Sequence, residues 1–233
     1  MSIHLHQDLE VLQRDILALA AAVEEAIDGA IRSLRERDGR LAEHVITGDT
    51  RIDLQQNRIE EECLKVLALH QPVAIDLRRV TAVLKVNTEL ERMADLAANI
   101  AERALHLLRL PPVAVPERFQ RMTDVTTVMV RQSLEAFVRQ DAREARRVCR
   151  LDDEVDRLNA EIIQELVRTM QQSPQLVEPA LSLFSAARHL ERIADHATNI
   201  AEDVVYLVEG LIIRHHPEAI AGEGPAPEGQ GSP

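Results

Sequence analysis

LERMADLAANIAER occupies residues 90–103, and LERIADHATNIAED occupies residues 190–203. Ten of the fourteen positions are identical between the two stretches. The matches include apolar positions that would face a helical core. They also include two acids in the order Glu-x-x-x-Asp, which lie about one helical turn apart. Core packing alone does not require the acids, so the repeat carries a polar feature as well as a fold element.

A second pair of segments extends the repeat. GDTRIDLQQNRIEEE at residues 48–62 aligns with LDDEVDRLNAEIIQE at residues 151–165. Acids again coincide in this alignment, and the same offset aligns a turn-forming Asp in each half. The aligned acids are Asp38 with Asp141, Asp49 with Asp152, and Asp53 with Asp156.

Helical periodicity fills the chain, and no window alternates as a strand would. We predict helices over 5–37, 40–69, from just after Pro72 to 108, 117–139, 141–170 and 177–214. Prolines interrupt the pattern between the third and fourth helices. The predicted fold class is all-α, with two tandem three-helix bundles related by internal duplication. The predicted division is 1–110 for the first bundle, 111–116 for a Pro-rich connector, 117–214 for the second bundle and 215–233 for a disordered tail.

Bulk composition narrows the class of protein. Of the 233 residues, 45% are hydrophobic but only 2% are aromatic, so the core must be aliphatic. The formal net charge of −12 argues against nucleic acid or an acidic lipid surface as a broad partner. No stretch predicts a signal peptide or a membrane span. The two cysteines, Cys63 and Cys149, form no C-x-x-C pair, and we predict buried free thiols in a reducing cytosol.

The repeated acids flank the core face of their helix. With Leu90 at zero and about 100° per residue, Ala94 lies within roughly 40°, while Glu91 and Asp95 lie at about 100–140°. Like charges one turn apart cost an exposed helix roughly 0.2–0.5 kcal/mol, and the cost grows at the edge of a core. If the acidic pairs of neighbouring helices face each other, four carboxylates converge in each half. They are Asp49, Asp53, Glu91 and Asp95 in the first, and Asp152, Asp156, Glu191 and Asp195 in the second.

Such a group requires positive charge, and the residues alone leave two sources open. Four carboxylates with water suit Fe, Mn, Mg or Ca, and zinc accepts carboxylates although it prefers nitrogen or sulfur. Alternatively, Arg92 and Arg192 reach over and form a salt-bridge lattice without metal. The halves also differ, because Glu60 on the acid stripe of the second helix corresponds to Ile163.

Other chemistries lack sequence support. No His follows a Glu by three residues, as di-iron helical bundles require. His189 and His196 lie away from the acid stripe, and we predict that they are surface or packing residues. The chain has no G-x-x-x-x-G-K-[ST] loop and no G-x-S-x-G elbow. We therefore predict no catalytic residue and no phosphate-cradling site.

The paired motifs LERMAD…NIAE and LERIADHATNIAE resemble the PhoU family of phosphate-uptake regulators, as does ALHQPVAIDLRRVTAVLK at residues 68–85. The resemblance spans about residues 5–210. It implies a cytoplasmic regulator that acts with the phosphate-specific ABC transporter and restrains phosphate uptake. It also implies that the protein helps a membrane sensor kinase to switch off the phosphate-starvation response. HQPVAIDLRR has no clear counterpart around Ser173 and Pro174, which argues against equal roles for the two halves.

The family's acid-x-x-x-Asp motifs are associated with multinuclear metal clusters on the bundle surface. Carried over to this chain, the resemblance implies multinuclear iron, with zinc, manganese or another divalent ion as alternatives. The implied metal ligands are Asp49, Asp53, Glu91, Asp95, Asp152, Asp156, Glu191 and Asp195.

The functional hypothesis is a non-enzymatic adaptor in the cytoplasm, held at the inner face of the membrane through its partners. The expected partners are the ATPase subunit of the phosphate ABC transporter and a phosphate sensor histidine kinase. We also expect a homodimer, no nucleic-acid partner and no direct membrane insertion. Phosphate status is expected to arrive through the transporter and not by direct phosphate binding. The alternatives are a metal-dependent enzyme, such as an oxidase or hydrolase, and a metal-free helical scaffold.

Overall fold

The computed structural model describes residues 3–211, which form six α-helices and one short 3₁₀ turn. This confirms the predicted all-α fold class. Of the helices in this range, none combines the length and apolarity needed to cross a bilayer. The elements are α1 (Ile3–Glu36), α2 (Gly39–His70), α3 (Ala74–Leu108), α4 (Glu117–Arg139), α5 (Ala142–Gln172), the 3₁₀ turn (Pro174–Leu176) and α6 (Val177–Glu209).

The helices form two groups of three that share one long contact. Helices α1, α2 and α3 pack together, as do α4, α5 and α6, and α3 packs along α6. Lys85 near the start of α3 contacts Asp203 near the end of α6, whereas His106 near the end of α3 contacts Ser182 near the start of α6. The two helices are therefore antiparallel. The division at residue 110 stays a prediction, since this contact joins both groups.

Equivalent aspartates start the second helix of each half. The Asp38 carboxylate accepts hydrogen bonds from the backbone N–H groups of Arg40 and Leu41, at 3.0 and 3.1 Å. Asp141 caps α5 in the same way. Side-chain caps of this kind stabilise a helix by about 1 kcal/mol. The alignment of these two aspartates in the sequence therefore marks a shared structural role.

The predicted end of the sixth helix is wrong. Helical periodicity predicts an end at Arg214, but α6 ends at Glu209. Gly210 follows with φ of 74°, and its N–H donates to the Tyr206 carbonyl. Glycine adopts this left-handed conformation without the steric cost of a Cβ atom, so it closes the helix. The predicted disordered tail at 215–233 lies outside the described residues.

The connection between α5 and α6 also differs from the prediction. Helix α5 continues to Gln172, beyond the predicted end at residue 170. A 3₁₀ turn over Pro174–Leu176, which helical periodicity does not predict, then leads into α6. Proline fits the first turn because its fixed φ is helical and its missing N–H would have no intrahelical partner.

The core face of the repeated motif is placed as predicted. Its apolar positions are almost fully buried in both α3 and α6. Half of these positions are alanines in each helix. The buried positions are Leu90, Met93, Ala94, Ala97, Ile100 and Ala101 in α3, and Leu190, Ile193, Ala194, Ala197, Ile200 and Ala201 in α6.

Both cysteines are free and buried, which confirms the prediction for Cys63 and Cys149. Burial is the main cause that raises the pKa of each thiol to about 12, and neighbouring acids add to it. A thiol that keeps its proton is a poor nucleophile, so these side chains act as small core residues.

A polar group is buried in the α3–α6 contact. Glu89 Oε2 accepts a hydrogen bond from the Asn199 amide at 3.1 Å and lies 2.6 Å from His196 Nδ1. Arg92 lies 3.6 Å from the other carboxylate oxygen. Burial would raise the pKa of Glu89, but the hydrogen bonds from His196 and Asn199 outweigh it and hold the pKa below its usual value. His196 was predicted to be a surface or packing residue, and its buried polar role was missed.

The His196→Leu variant should lower the free energy of unfolding by roughly 2–4 kcal/mol, because Glu89 would keep a buried charge with fewer partners. Leucine is chosen because it occupies the equivalent position, Leu96, in the first half. Urea unfolding at pH 7 measures the change.

The double variant Glu89→Leu/His196→Leu provides the control, because two apolar side chains leave no unpaired buried charge. It should recover much of the lost stability. A double variant less stable than His196→Leu would show that the buried charge is not the source of the loss.

Candidate metal centre

Helices α2 and α3 bring three carboxylates of the first half together. Asp49 and Asp53 lie one turn apart on α2, and Asp95 lies on α3, which packs against α2. One oxygen from each of the three side chains lies within 4.8 Å of the other two. Asp49 and Asp53 are half-buried, whereas Asp95 is exposed. With Glu91, one turn before Asp95 on α3, these residues are called the first cluster.

The first cluster is electrostatically unfavourable when all its acids are ionised. Burial is the largest cause that raises the pKa of Asp49 to about 6, and repulsion from Asp53 and Asp95 adds to it. Burial, followed by repulsion from Asp95 and Asp53, also raises the pKa of Glu91. The pKa of Asp95 is raised by burial and by Asp53. Bringing a cation between these oxygens would reverse the repulsion.

The arginine lattice, which is the metal-free alternative, does not form around the first cluster. Arg92 is directed to Glu89, at 3.6 Å, and only its more distant charge lowers the pKa of Glu91. Within residues 3–211, no Lys or Arg nitrogen forms an ion pair with the four carboxylates at 4.0 Å or less. The negative charge of the first cluster is therefore not neutralised by a direct contact in this part of the chain.

The acids of the second half lie on α5 and α6 and are called the second cluster, which comprises Asp152, Asp156, Glu191 and Asp195. Burial, followed by repulsion from Asp195 and Asp156, raises the pKa of Asp152 to about 7. Burial also leads the causes that raise the pKa of Glu191 and of Asp195. The same duplication has therefore placed like charges together in both halves.

The two clusters are not equivalent. Glu191 Oε1 accepts a hydrogen bond from Arg188 Nη1 at 2.7 Å, so the second cluster is partly neutralised by an arginine of its own helix. The neutralising residue is therefore Arg188, whereas the sequence suggests Arg192 for this role. Over residues 3–211, the first cluster alone has three carboxylate oxygens within 4.8 Å of one another. Glu60, which lies on the acid stripe of α2 and has no acidic counterpart in the second half, is exposed and accepts a hydrogen bond from Gln56 at 3.3 Å.

The donor set of the first cluster fits a hard divalent or trivalent cation. Three close carboxylate oxygens at a half-buried surface are the donors that Mg, Mn, Ca or Fe prefer. Histidine and cysteine do not contribute to this group of oxygens. His189, for example, lies next to Ser185, with its Nε2 3.2 Å from the hydroxyl. All eight predicted metal ligands stay predictions.

Comparison with known proteins connects this arrangement to one family. The model of the PhoU domain matches residues 16–104 and 119–204, one domain in each half. A phosphate-specific transport system accessory protein PhoU homolog from Aquifex aeolicus is 41% identical over 211 residues, which cover 91% of this chain and 96% of that protein. The accessory protein PhoU of Serratia marcescens is 33% identical and covers 89% of this chain and 86% of its own.

Solved structures agree with this comparison. The crystal structure of PhoU from Pseudomonas aeruginosa superposes with a TM-score of 0.84 at 36% identity, covering 88% of this chain and 99% of that one. The phosphate transport system regulatory protein PhoU from Streptococcus pneumoniae gives a TM-score of 0.83 at 30% identity, covering 89% and 98%. The likeness includes both halves and their order.

The Asp49→Asn variant should stabilise the metal-free protein at neutral pH. The pKa of Asp49 is about 6 in the folded protein and 3.8 when unperturbed, so the folded state binds more protons between these values. Stability from this group therefore falls as the pH rises through that window. After allowance for solvent screening, Asp49→Asn should raise the free energy of unfolding by on the order of 1 kcal/mol at pH 7.5.

The gain should be clearly smaller at pH 4.5, because Asp49 is then largely protonated in the folded state. Urea unfolding of chelator-treated protein at both pH values measures it. Glu61→Gln, an exposed acid on the same helix, is the matched control and should change little. Equal effects of the two variants at pH 7.5 would contradict the argument.

Proposed function

The chain belongs to the PhoU family, and on that premise we propose that it is a regulator of inorganic phosphate uptake and phosphate-starvation signalling. The match of the family domain to both halves carries this proposal. It is supported by relatives that are named accessory proteins of the phosphate-specific transport system. The antiparallel contact between α3 and α6 holds the two halves together, so that an adaptor could bind one partner through each half.

The proposed partners are the ATPase subunit of the phosphate ABC transporter and a phosphate sensor histidine kinase. The protein acts in the cytoplasm and reaches the inner face of the membrane through these partners, and it forms a homodimer. It senses phosphate through the state of the transporter. The net charge of −12 and the lack of a Gly-rich anion loop in the sequence support this indirect route.

We further propose that the carboxylate clusters hold metal ions, with multinuclear iron favoured and manganese, zinc or another divalent ion as alternatives. A bound cation would supply positive charge and bridge α2 to α3, or α5 to α6. Asp49 and Asp53 would anchor it from the second helix, and Asp95 from the third. The first cluster is expected to bind more tightly, because its oxygens are already close and Arg188 does not compete there.

The proposed role is regulatory and not enzymatic. The first cluster has carboxylates only, without a histidine or thiol that could act as a nucleophile or proton shuttle. In this regulatory role, a bound metal would fix α2 against α3 in one arrangement. A metal-dependent hydrolase or oxidase would instead show turnover that disappears in Asp95→Ala.

Metal binding can be tested directly on purified protein. Wild-type protein reconstituted with Fe(II) or Mn(II) should retain stoichiometric metal after equilibrium dialysis, as measured by elemental analysis. Asp53→Asn should weaken binding at least tenfold, because one of the three close oxygens becomes a neutral amide. Glu61→Gln should bind like the wild type. Absence of stoichiometric metal in the reconstituted wild type would favour the metal-free scaffold.

The adaptor role can be tested by affinity purification from cells grown with abundant phosphate and from phosphate-starved cells. The transporter ATPase subunit and the sensor kinase should both be recovered, and recovery of the kinase should depend on phosphate supply. A parallel purification with an unrelated tagged helical protein is the control. Failure to recover either partner under both conditions would contradict the proposal.

A further inference from the structure

The contact between α3 and α6 has two equivalent ends. Because the repeated motif lies one hundred residues later in α6 than in α3, exchanging the two helices leaves the sum of two contacting residue numbers unchanged. Each contact at one end therefore corresponds to a pair of positions at the other end, and the two ends can be compared residue by residue. Three contacting pairs share the same sum and so define one register, namely Lys85–Asp203, Glu89–Asn199 and His106–Ser182.

At one end, a carboxylate of the protein itself occupies a group of donors. Glu89 accepts a hydrogen bond from the Asn199 amide at 3.1 Å and lies 2.6 Å from His196 Nδ1. Its other oxygen is 3.6 Å from Arg92 Nη1. These four residues are called the Glu89 site. Their arrangement shows that this position between the two helices accommodates a negatively charged carboxylate.

The equivalent end, called the His189 site, has lost the carboxylate. His189 replaces Glu89, and Arg103 replaces the acidic Asp203. An amide and an arginine are retained, whereas the imidazole is replaced by Leu96. This end has therefore gained positive charge and lost the anion that would balance it. The polar residues of the His189 site are Asn99, Arg103, His189 and Arg192.

Polar groups at the His189 site lack partners among residues 3–211. Arg103 Nε and His189 Nδ1 are buried and have no hydrogen-bond partner in this range. Asn99 and Arg192 form no hydrogen bond there, and no carboxylate oxygen lies within 4.0 Å of an Arg192 nitrogen. Because a buried donor without an acceptor is destabilising, an added oxygen atom would be bound by groups that are already in place. Arg192 is exposed, so a ligand can enter from solvent.

Two cations act on the imidazole of the His189 site. Burial is the largest cause that lowers the pKa of His189, the charges of Arg192 and Arg103 lower it further, and Glu102 opposes them. The imidazole is therefore neutral. Its Nε2 lies 3.2 Å from the Ser185 hydroxyl. A hydroxyl that donates to Nε2 leaves the imidazole hydrogen on Nδ1, which then becomes a donor.

We propose that the His189 site binds a small, singly charged carboxylate, in the place that Glu89 occupies at the other end. Two guanidinium groups, an amide and an imidazole N–H match the acceptor oxygens of such a ligand. Because two of the polar groups are buried, a small free carboxylate reaches them more readily than an acidic side chain on the surface of another protein. This inference goes beyond the proposed function and does not depend on it.

Acids near the His189 site limit the charge of the ligand. Glu102 lies 3.3 Å from Arg103, and Arg192 also interacts electrostatically with Asp195. A single negative charge balances what remains of the two arginine charges. A doubly charged anion such as sulfate would bring negative charge that no group at this partly buried surface compensates. The site therefore favours a monocarboxylate over a doubly charged anion.

A bound carboxylate would join α3 to α6 at the second end of their contact, as Glu89 does at the first. Because these two helices hold the halves together, the ligand would tighten the contact between the halves. The concentration of a small carboxylate could thus adjust how firmly the two halves are held.

The test uses the full-length protein and nuclear magnetic resonance. The Arg103 Nε–H resonance, assigned with the Arg103→Lys variant, is followed at pH 6.5 during titration with sodium acetate, with sodium chloride at equal ionic strength as the reference. The wild type should show a saturable change with acetate. Arg192→Gln should weaken acetate binding by roughly tenfold, because one charge-assisted hydrogen bond is lost.

Two further variants make the test specific to the His189 site. His189→Glu should abolish acetate binding, because it supplies the carboxylate that the Glu89 site already has. Arg92→Gln changes the equivalent arginine of the Glu89 site and is the matched control, so it should bind acetate like the wild type.

Three results would overturn the inference. They are a wild type without a saturable change, acetate binding that Arg192→Gln and His189→Glu leave unchanged, and tighter binding of sulfate than of acetate. Thermal melting checks folding, and Arg192→Gln decides alone if His189→Glu is unstable, because Arg192 is exposed. The titration needs no partner protein, so failure of the proposed function would leave its result standing.

Discussion

The antiparallel contact between α3 and α6 is the constraint on which the rest of the structure depends. The buried Glu89–His196 pair joins the two helices, and the Lys85–Asp203 and His106–Ser182 contacts hold them on either side of it. Within residues 3–211, α2 and α5 contact only elements of their own half. The grooves between α2 and α3 and between α5 and α6 then remain available on the surface. The acids are carried on the walls of these grooves.

Repulsion among the acids in these grooves, together with their partial burial, destabilises the folded state. Each cluster sets like charges near a partly desolvated surface, and the raised pKa of Asp49 and Asp152 is the direct sign of that cost. The large aliphatic core supplies the stability that makes the cost tolerable. Neutralisation differs between the halves, since Arg188 compensates Glu191 but the first cluster has no comparable ion pair among residues 3–211. Both halves have thus kept their acids after the duplication, but the ion pairs that neutralise these acids differ between the halves.

The sequence was sufficient to predict whatever is set by periodicity and local chemistry. Helical spacing predicted the six helices, and the aligned Asp38 and Asp141 marked equivalent helix starts. The wheel placed Leu90 and Ala94 in the core and Asp95 beside it. The convergence of Asp49 and Asp53 with Asp95 followed because α2 and α3 are connected by a short turn and pack side by side.

Features that depend on distant contacts could not be predicted in this way. His196 contacts Glu89, which is 107 residues away in the sequence, and helical periodicity does not indicate which distant residue a side chain contacts. The choice between Arg188 and Arg192 depends on side-chain direction, which the wheel does not resolve. The end of α6 was missed because apolar residues continue beyond Gly210, although glycine itself is the common signal for a helix terminus.

The Glu89–His196 pair has a further consequence for how the two halves recognise each other. One half contributes the acid and the other contributes its imidazole, while the position equivalent to His196 in the first half is Leu96. Two copies of the first half joined in the same geometry would bury each glutamate against a leucine. The Glu89–His196 pair therefore forms only between a first half and a second half. If two chains exchanged halves during folding, each first half would still have to pack against a second half.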